Sequence, residues 1–212
     1  MGERIWKLVS YIFHPILMPA LGITIVISID PLIFTSVEDN QFWVMLLAYS
    51  SLTLICTAML PLFFTWMLFK TGRISSITNP ADKDRLQLIA FTELCYILAY
   101  YSIHNIPVIG RSLSYFMLGI NISMIITLIA SMLTRVSLHA VGVGGVLGTV
   151  IGLMYCTRAQ NFPVAAIAIA LVCIVDYSRY KLKAHNAFDI FIGNIIGITC
   201  LAVTYMIASG RF

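Results

Sequence analysis

Seven apolar stretches, each long enough to cross a bilayer, constrain what this chain can fold into. They fall at residues 9–29, 42–69, 86–104, 113–133, 139–157, 162–178 and 186–208. About 20 consecutive apolar residues span the hydrocarbon core as a helix. Inside that core only helices and closed barrels satisfy every backbone N–H and C=O group. The runs have helical length, so the chain is predicted to be all-α, a polytopic membrane helix bundle of about six to seven transmembrane helices. The third run carries Glu93, which is why the lower number stands beside the higher. Composition agrees: 60% of residues are hydrophobic and 10% are charged, whereas a soluble domain carries about 25% charged residues. One integral-membrane domain covering residues 1–212 is the economical reading. The first apolar run extends far beyond the short core of a signal peptide and reads as a spanning helix.

Seven crossings set a parity. The N-terminus and the stretches 70–85, 134–138 and 179–185 fall on one side, together with Arg4, Lys7, Lys70, Arg73, Lys83, Arg85, Arg135, Arg179, Lys181 and Lys183. The other side receives Arg111, Arg158 and Arg211, with Asp30, Glu38 and Asp39. By the positive-inside rule the cation-rich side is cytoplasmic, although cations recruited to an anion site would inflate that count. The formal net charge is only +4, and no nucleic-acid partner is expected. Five scattered cysteines show no metal-ligand spacing, and thiols in apolar runs behave as small hydrophobes.

Glycines mark the tightest packing. Gly144, Gly148 and Gly152 recur every four residues and share a helical face, and Gly193 and Gly197 repeat the pattern in the last run. Such stripes let helices approach closely. The helices that begin near His139 and His185 are therefore expected to pack together and bring the two imidazoles near each other.

Two polar stretches fall at the ends of these helices. In SRYKLKAHNAFD, residues 178–189, His185 and Asp189 are four apart and would share a helical face. An ionised carboxylate at a membrane helix is costly unless paired, and an imidazole N–H one turn away is its natural partner. That pairing would leave the other ring nitrogen free as a base or nucleophile. Arg179 adds a planar fork suited to an oxyanion. The plainer alternative is a positive interfacial loop, with Lys181 and Lys183 reaching headgroups and His185–Asp189 as a structural pair. The second stretch, TRVSLHAVG at 134–142, places Ser137 and His139 at a helix start, where free N–H groups attract anions. Ser137 is a phosphate ligand or a simple N-cap, and Arg135 adds a cation.

These stretches together resemble the type 2 phosphatidic acid phosphatase superfamily, which also contains the vanadium haloperoxidases. The family's last motif, Ser-Arg, five residues, His, three residues, Asp, is matched at Ser178, Arg179, His185 and Asp189. Its middle motif, Pro-Ser-Gly-His, stands here as Val136, Ser137, Leu138 and His139, with proline and glycine replaced. Its first motif, Lys, six residues, Arg-Pro, has its counterpart in NPADKDRLQL at 79–88. If Arg85 is the motif arginine, Thr78 holds the lysine position and Leu86 the proline position, and Lys83 is a candidate replacement cation.

The resemblance implies a divergent bacterial inner-membrane phosphatase acting on a lipid phosphate or diphosphate. Candidate substrates are phosphatidic acid, phosphatidylglycerol phosphate, undecaprenyl diphosphate and lipid A phosphates. It implies His185 as the nucleophile that forms a phosphohistidine, oriented by Asp189, and His139 as the acid that protonates the leaving oxygen. Arg179, Ser137, Arg85 and Lys83 would bind nonbridging oxygens. Phosphoryl transfer asks mainly for alignment and charge neutralisation, which fixed cations supply, so no metal or other cofactor is expected. Relatives usually carry the site on the outer face of the inner membrane, while the cation count favours the cytoplasmic face. A non-catalytic lipid-phosphate binder or transporter is the alternative function. His14 is expected to be an interfacial histidine, His104 to lie at the opposite side, Glu93 to have a packing partner, and Asp176 to pair with a loop lysine.

Overall fold

The computed structural model describes residues 2–30, 39–74, 76, 80–105, 111–158 and 160–208. Helices account for the architecture, and no strand occurs among the described residues. An amphipathic helix α1 (Gly2–Ile12) is followed by a break at Phe13 and His14, a 3₁₀ turn at Pro15–Leu17 and α2 (Met18–Ile29). Proline cannot donate to a continuing helix, so Pro15 starts a new one. Helix α3 (Asp39–Leu54) runs through a π turn at Ile55–Met59 into α4 (Leu60–Lys70). The wider turn accommodates Pro61, which has no N–H for the preceding turn.

Four long helices follow α5 (Asp82–His104): α6 (Arg111–Ala130), α7 (Leu138–Thr157), α8 (Phe162–Lys181) and α9 (Ala187–Ala208). Seven helical stretches among the described residues are long and apolar enough to cross a membrane. The all-α polytopic bundle expected from the sequence is thus the fold. Its outer surface is apolar, with Leu94, Leu98, Ile125, Phe188 and Phe191 among the exposed side chains. A lipid solvent permits this and water does not.

The seven spans differ from the sequence reading at their ends. The third begins at Asp82 rather than 86, because its first turn is charged and carries Arg85. The fourth ends at Ala130, since apolar Met132 and Leu133 lie exposed in a turn. The sixth extends to Lys181, placing Arg179 and Lys181 in its last turn, where cations complement the helix dipole.

The centre of the bundle is the α7–α9 pair. A Cβ on Gly148 would lie 2.4 Å from the Ile198 carbonyl oxygen, and one on Gly197 would lie 2.3 Å from that of Val141. The expected glycine stripes are therefore where two backbones touch. Helices α2 and α6 pack beside this pair. Asp30 at the end of α2 accepts the hydroxyl of Ser112 at the start of α6. Tyr205 near the end of α9 donates to the Ser112 carbonyl at 2.9 Å. These contacts tie together the end of the bundle remote from the two motifs.

Candidate active site

The turn between α8 and α9 carries the longer motif. Lys183 adopts a left-handed backbone conformation, with φ of 51°, and folds the chain back. The Asn186 side chain then accepts the Asp189 N–H at 2.8 Å, capping α9 from just outside it. His185 therefore stands before the helix, not on it.

This changes the expected His185–Asp189 pairing. The Nδ1 of His185 is 3.9 Å from the Asp189 carboxylate, beyond hydrogen-bond reach. It lies 2.9 Å from the Arg135 carbonyl oxygen, its hydrogen-bond partner. The Asp189 carboxylate instead accepts the Thr134 hydroxyl at 2.7 Å. A backbone carbonyl, not the carboxylate, thus fixes the tautomer: Nδ1 carries the proton and Nε2 the lone pair. The carboxylate remains close enough to act through its charge.

The segment 134–137 is the keystone of this arrangement. The Ser137 N–H donates to the Asp189 carbonyl at 3.2 Å. Arg85 on α5 donates to the Val136 carbonyl. A side chain at Gly193 would collide with this segment, since its Cβ would sit 2.8 Å from the Ser137 carbonyl oxygen. The two motifs are therefore joined through backbone.

His139 occupies the first turn of α7, with Nε2 3.1 Å from the Ser10 carbonyl oxygen of α1. The Ser10 hydroxyl hydrogen-bonds Ser178 at 2.8 Å and accepts from Nη1 of Arg179 at 3.3 Å. Nε of Arg179 is buried without a hydrogen-bond partner among the described residues. His14, expected at the interface, belongs to this group. Its ring meets that of His139 edge-on, with centroids 5.6 Å apart. The Ile16 N–H points to its Nδ1 at 3.4 Å, which leaves the proton on Nε2. The helix break forced by Pro15 turns His14 inward. The local signal for this was the sequence His-Pro inside an otherwise apolar span.

The three imidazoles and the arginines face one cavity of about 810 Å³. Its lining includes Lys7, Arg85, Arg135, Arg179 and Lys183, together with His14, His139 and His185, and among the described residues it includes no aspartate or glutamate. The imidazoles of His139 and His185, expected to come together, share this space. Arg85 and Arg179 line it as well. Lys83 is exposed and is not part of the lining. Ser137 is fully buried and caps α7, accepting the Ala140 N–H at 3.4 Å, and it too is absent from the lining. Thr78 lies outside the described residues. Arg135 is engaged laterally, with its Nε 2.7 Å from Asp82. Lys7, Ser10 and Thr134 were not singled out by the sequence, because each acquires its role only through contacts with distant segments.

Other expectations are revised. Asp176 accepts a hydrogen bond from Asn194 at 2.6 Å rather than pairing with a loop lysine. Glu93 is buried, and neither of its carboxyl oxygens has a hydrogen-bond partner among the described residues. His104, at the far end of α5 from Arg85 as expected, stacks on Tyr100 and does not line the cavity.

Burial lowers the His185 pKa to about 4, with the Arg179 and Arg85 cations adding to the effect and the Arg135 carbonyl and Asp189 opposing it. Near neutral pH the ring is therefore uncharged, with Nε2 able to donate its electron pair.

No known protein-family model matches the chain, and no curated protein or solved structure matches it.

Proposed function

We propose that this protein is an integral-membrane phosphatase acting on a lipid phosphate or diphosphate through a phosphohistidine intermediate. The observation that carries the reading is the cavity itself: among the described residues, five Lys or Arg side chains and three histidines converge in it without a carboxylate. Such a lining favours a multiply charged anion. The resemblance of Ser178–Asp189 to a phosphatase motif adds the reaction type.

The chemistry follows from the hydrogen bonds. Nε2 of His185 attacks phosphorus, forming a P–N bond while the P–O bond to the leaving group breaks. As the ring becomes cationic, the Arg135 carbonyl holds its Nδ1–H, and the Asp189 charge stabilises it. His139, its Nε2–H held by the Ser10 carbonyl, has its lone pair at Nδ1; there it takes the proton of the substrate's monoanionic phosphate and passes it to the leaving oxygen. Arg179 and Arg85 neutralise the nonbridging oxygens, as phosphoryl transfer requires. Water, giving a proton to His139, then cleaves the P–N bond and releases inorganic phosphate.

One observation favours the second reading, a lipid-phosphate binder or transporter: Ser137 and Lys83, two candidate phosphate ligands, are absent from the cavity lining. Phosphate release by the purified protein from a panel of lipid phosphates separates the two. Turnover that persists in EDTA and vanishes in His185→Ala supports the phosphatase. Binding without turnover on every substrate supports the binder.

A further inference from the structure

Below its cationic end the cavity changes character. On α5 the lining runs from Arg85 through Leu88 and Ile89 to Tyr96, a rise of about 16 Å at 1.5 Å per residue. On α6 it reaches Ile120 and Phe116, and the latter is about 21 Å along the axis from the helix end at Ala130. Both depths exceed half of the ~30 Å hydrocarbon core. The Phe116 ring closes this end, filling the space that a Cβ on Gly22 would need.

The deep part offers little to a polar group. The hydroxyls of Thr92 and Thr65 are spent on the Leu88 and Pro61 carbonyls of their own helices, each at 2.8 Å. This apolar face is distinct from the lipid-facing one, which on the same helices presents Leu94, Leu98, Ile122 and Ile125. A cationic end above an apolar shaft is complementary to an amphiphile. A cavity of about 810 Å³ lies within the ~300–1,000 Å³ range of sites that enclose one small molecule.

We infer that the cavity takes one apolar chain of its lipid-phosphate substrate into the bundle, with the phosphate at Arg179 and Arg85 and Phe116 as the floor. This rests on the site being a phosphate site, and it adds that the chain leaves the bilayer. With the two threonine hydroxyls engaged, only those of Tyr96 and Ser123 remain in an otherwise apolar shaft, too few to hold a sugar or a second headgroup, so the substrate class is a lipid phosphate with an unbranched or polyprenyl chain free to enter alone.

Photolabelling tests it on the purified full chain. The probe is an n-alkyl phosphonate with a diazirine at the chain end, in butyl and dodecyl lengths, and labelled peptides are mapped by mass spectrometry. The dodecyl probe is expected to label Tyr96, Phe116 or Leu201, and the butyl probe Leu88 or Ile89. Orthovanadate is expected to suppress both. Ile120→Trp, which fills the shaft midway, should reduce deep labelling at least tenfold while sparing the butyl label. Phe116→Leu, a milder change, should extend labelling beyond the floor if the tryptophan variant fails to fold. Vanadate-sensitive labels confined to Leu94, Leu98, Ile122 or Ile125 overturn the chain site and leave the phosphate site standing. Deep labels insensitive to vanadate overturn the phosphate site, and with it this assignment of the chain to a lipid phosphate.

Discussion

The Nδ1 of His185 lies 2.9 Å from the carbonyl oxygen of Arg135, while the Asp189 carboxylate stands 3.9 Å away. Orientation and charge are thereby divided between two groups. Asp189→Asn keeps an acceptor for Thr134 but removes the negative charge beside a ring that becomes cationic. At this separation a unit charge is worth about 4 kcal/mol at an effective dielectric of 20, so kcat should fall on the order of 10²–10³-fold. Thr134→Val removes one hydrogen bond, worth about 1 kcal/mol, and should cost only about fivefold. Equal losses in the two variants would show that Asp189 acts through placement of the loop rather than through its charge.

The acid limb of catalysis should report the environment of His185. Its ordinary pKa of 6.5 is lowered to about 4, so the ring stays neutral until the pH falls through about 4 and then loses its nucleophilic lone pair. Proton NMR of the imidazole in the substrate-free protein should give a midpoint near 4. Removing the nearby cation with Arg179→Gln should raise that midpoint, and removing the anion with Asp189→Asn should lower it. A wild-type midpoint near 6.5 would contradict the buried, cation-flanked setting.

His14 should prove to be a participant. His14→Phe preserves a ring edge-on to His139 but removes the N–H. If that N–H contacts phosphate or the leaving oxygen, kcat should fall about ten- to hundredfold, the range of a hydrogen bond to a charged group. Thermal stability should change little. Unchanged kcat would return His14 to a packing role.

Glycine substitutions separate packing from chemistry. Gly197→Ala places a methyl 2.3 Å from the Val141 carbonyl oxygen and 2.6 Å from the Gly145 nitrogen. Both are backbone atoms that cannot step aside, so the variant should lose about 1–3 kcal/mol of stability and shift the α7–α9 contact beneath both imidazoles. A Cβ on Gly145 meets the Leu201 side chain at an ordinary 3.6 Å, and Gly145→Ala should melt within a few degrees of the parent. Comparable melting temperatures for the two variants would contradict the close helix approach.

The fold was legible because lipid rewards uninterrupted apolar length, and the interlock was legible because glycines at four-residue spacing permit backbone contact. Span ends were less so: hydropathy does not register that Asp82–Arg85 form a helical turn or that Met132 and Leu133 lie in a loop. Within the site, the sequence brought His139 and His185 together but left out His14 and assigned the wrong hydrogen-bond partner to His185. Side-chain spacing cannot reveal a main-chain carbonyl arriving from fifty residues away. In the sequence Lys7 reads only as one cation of the charged side and Ser10 does not stand out at all, because the packing of α1 on α8 at Trp6–Tyr177 and Ser10–Ser178 joins distant segments.

The backbone interlock of α7 with α9 also limits how this molecule can move. Where main chain rests on main chain there is no side chain to swing, so the pair behaves as a stiff spine bearing both imidazoles. Movement that admits a substrate would therefore fall to the helices around it, of which α1 is set off from α2 by the Phe13–His14 break and meets α8 and α7 at Trp6–Tyr177, Ser10–Ser178 and Ser10–His139.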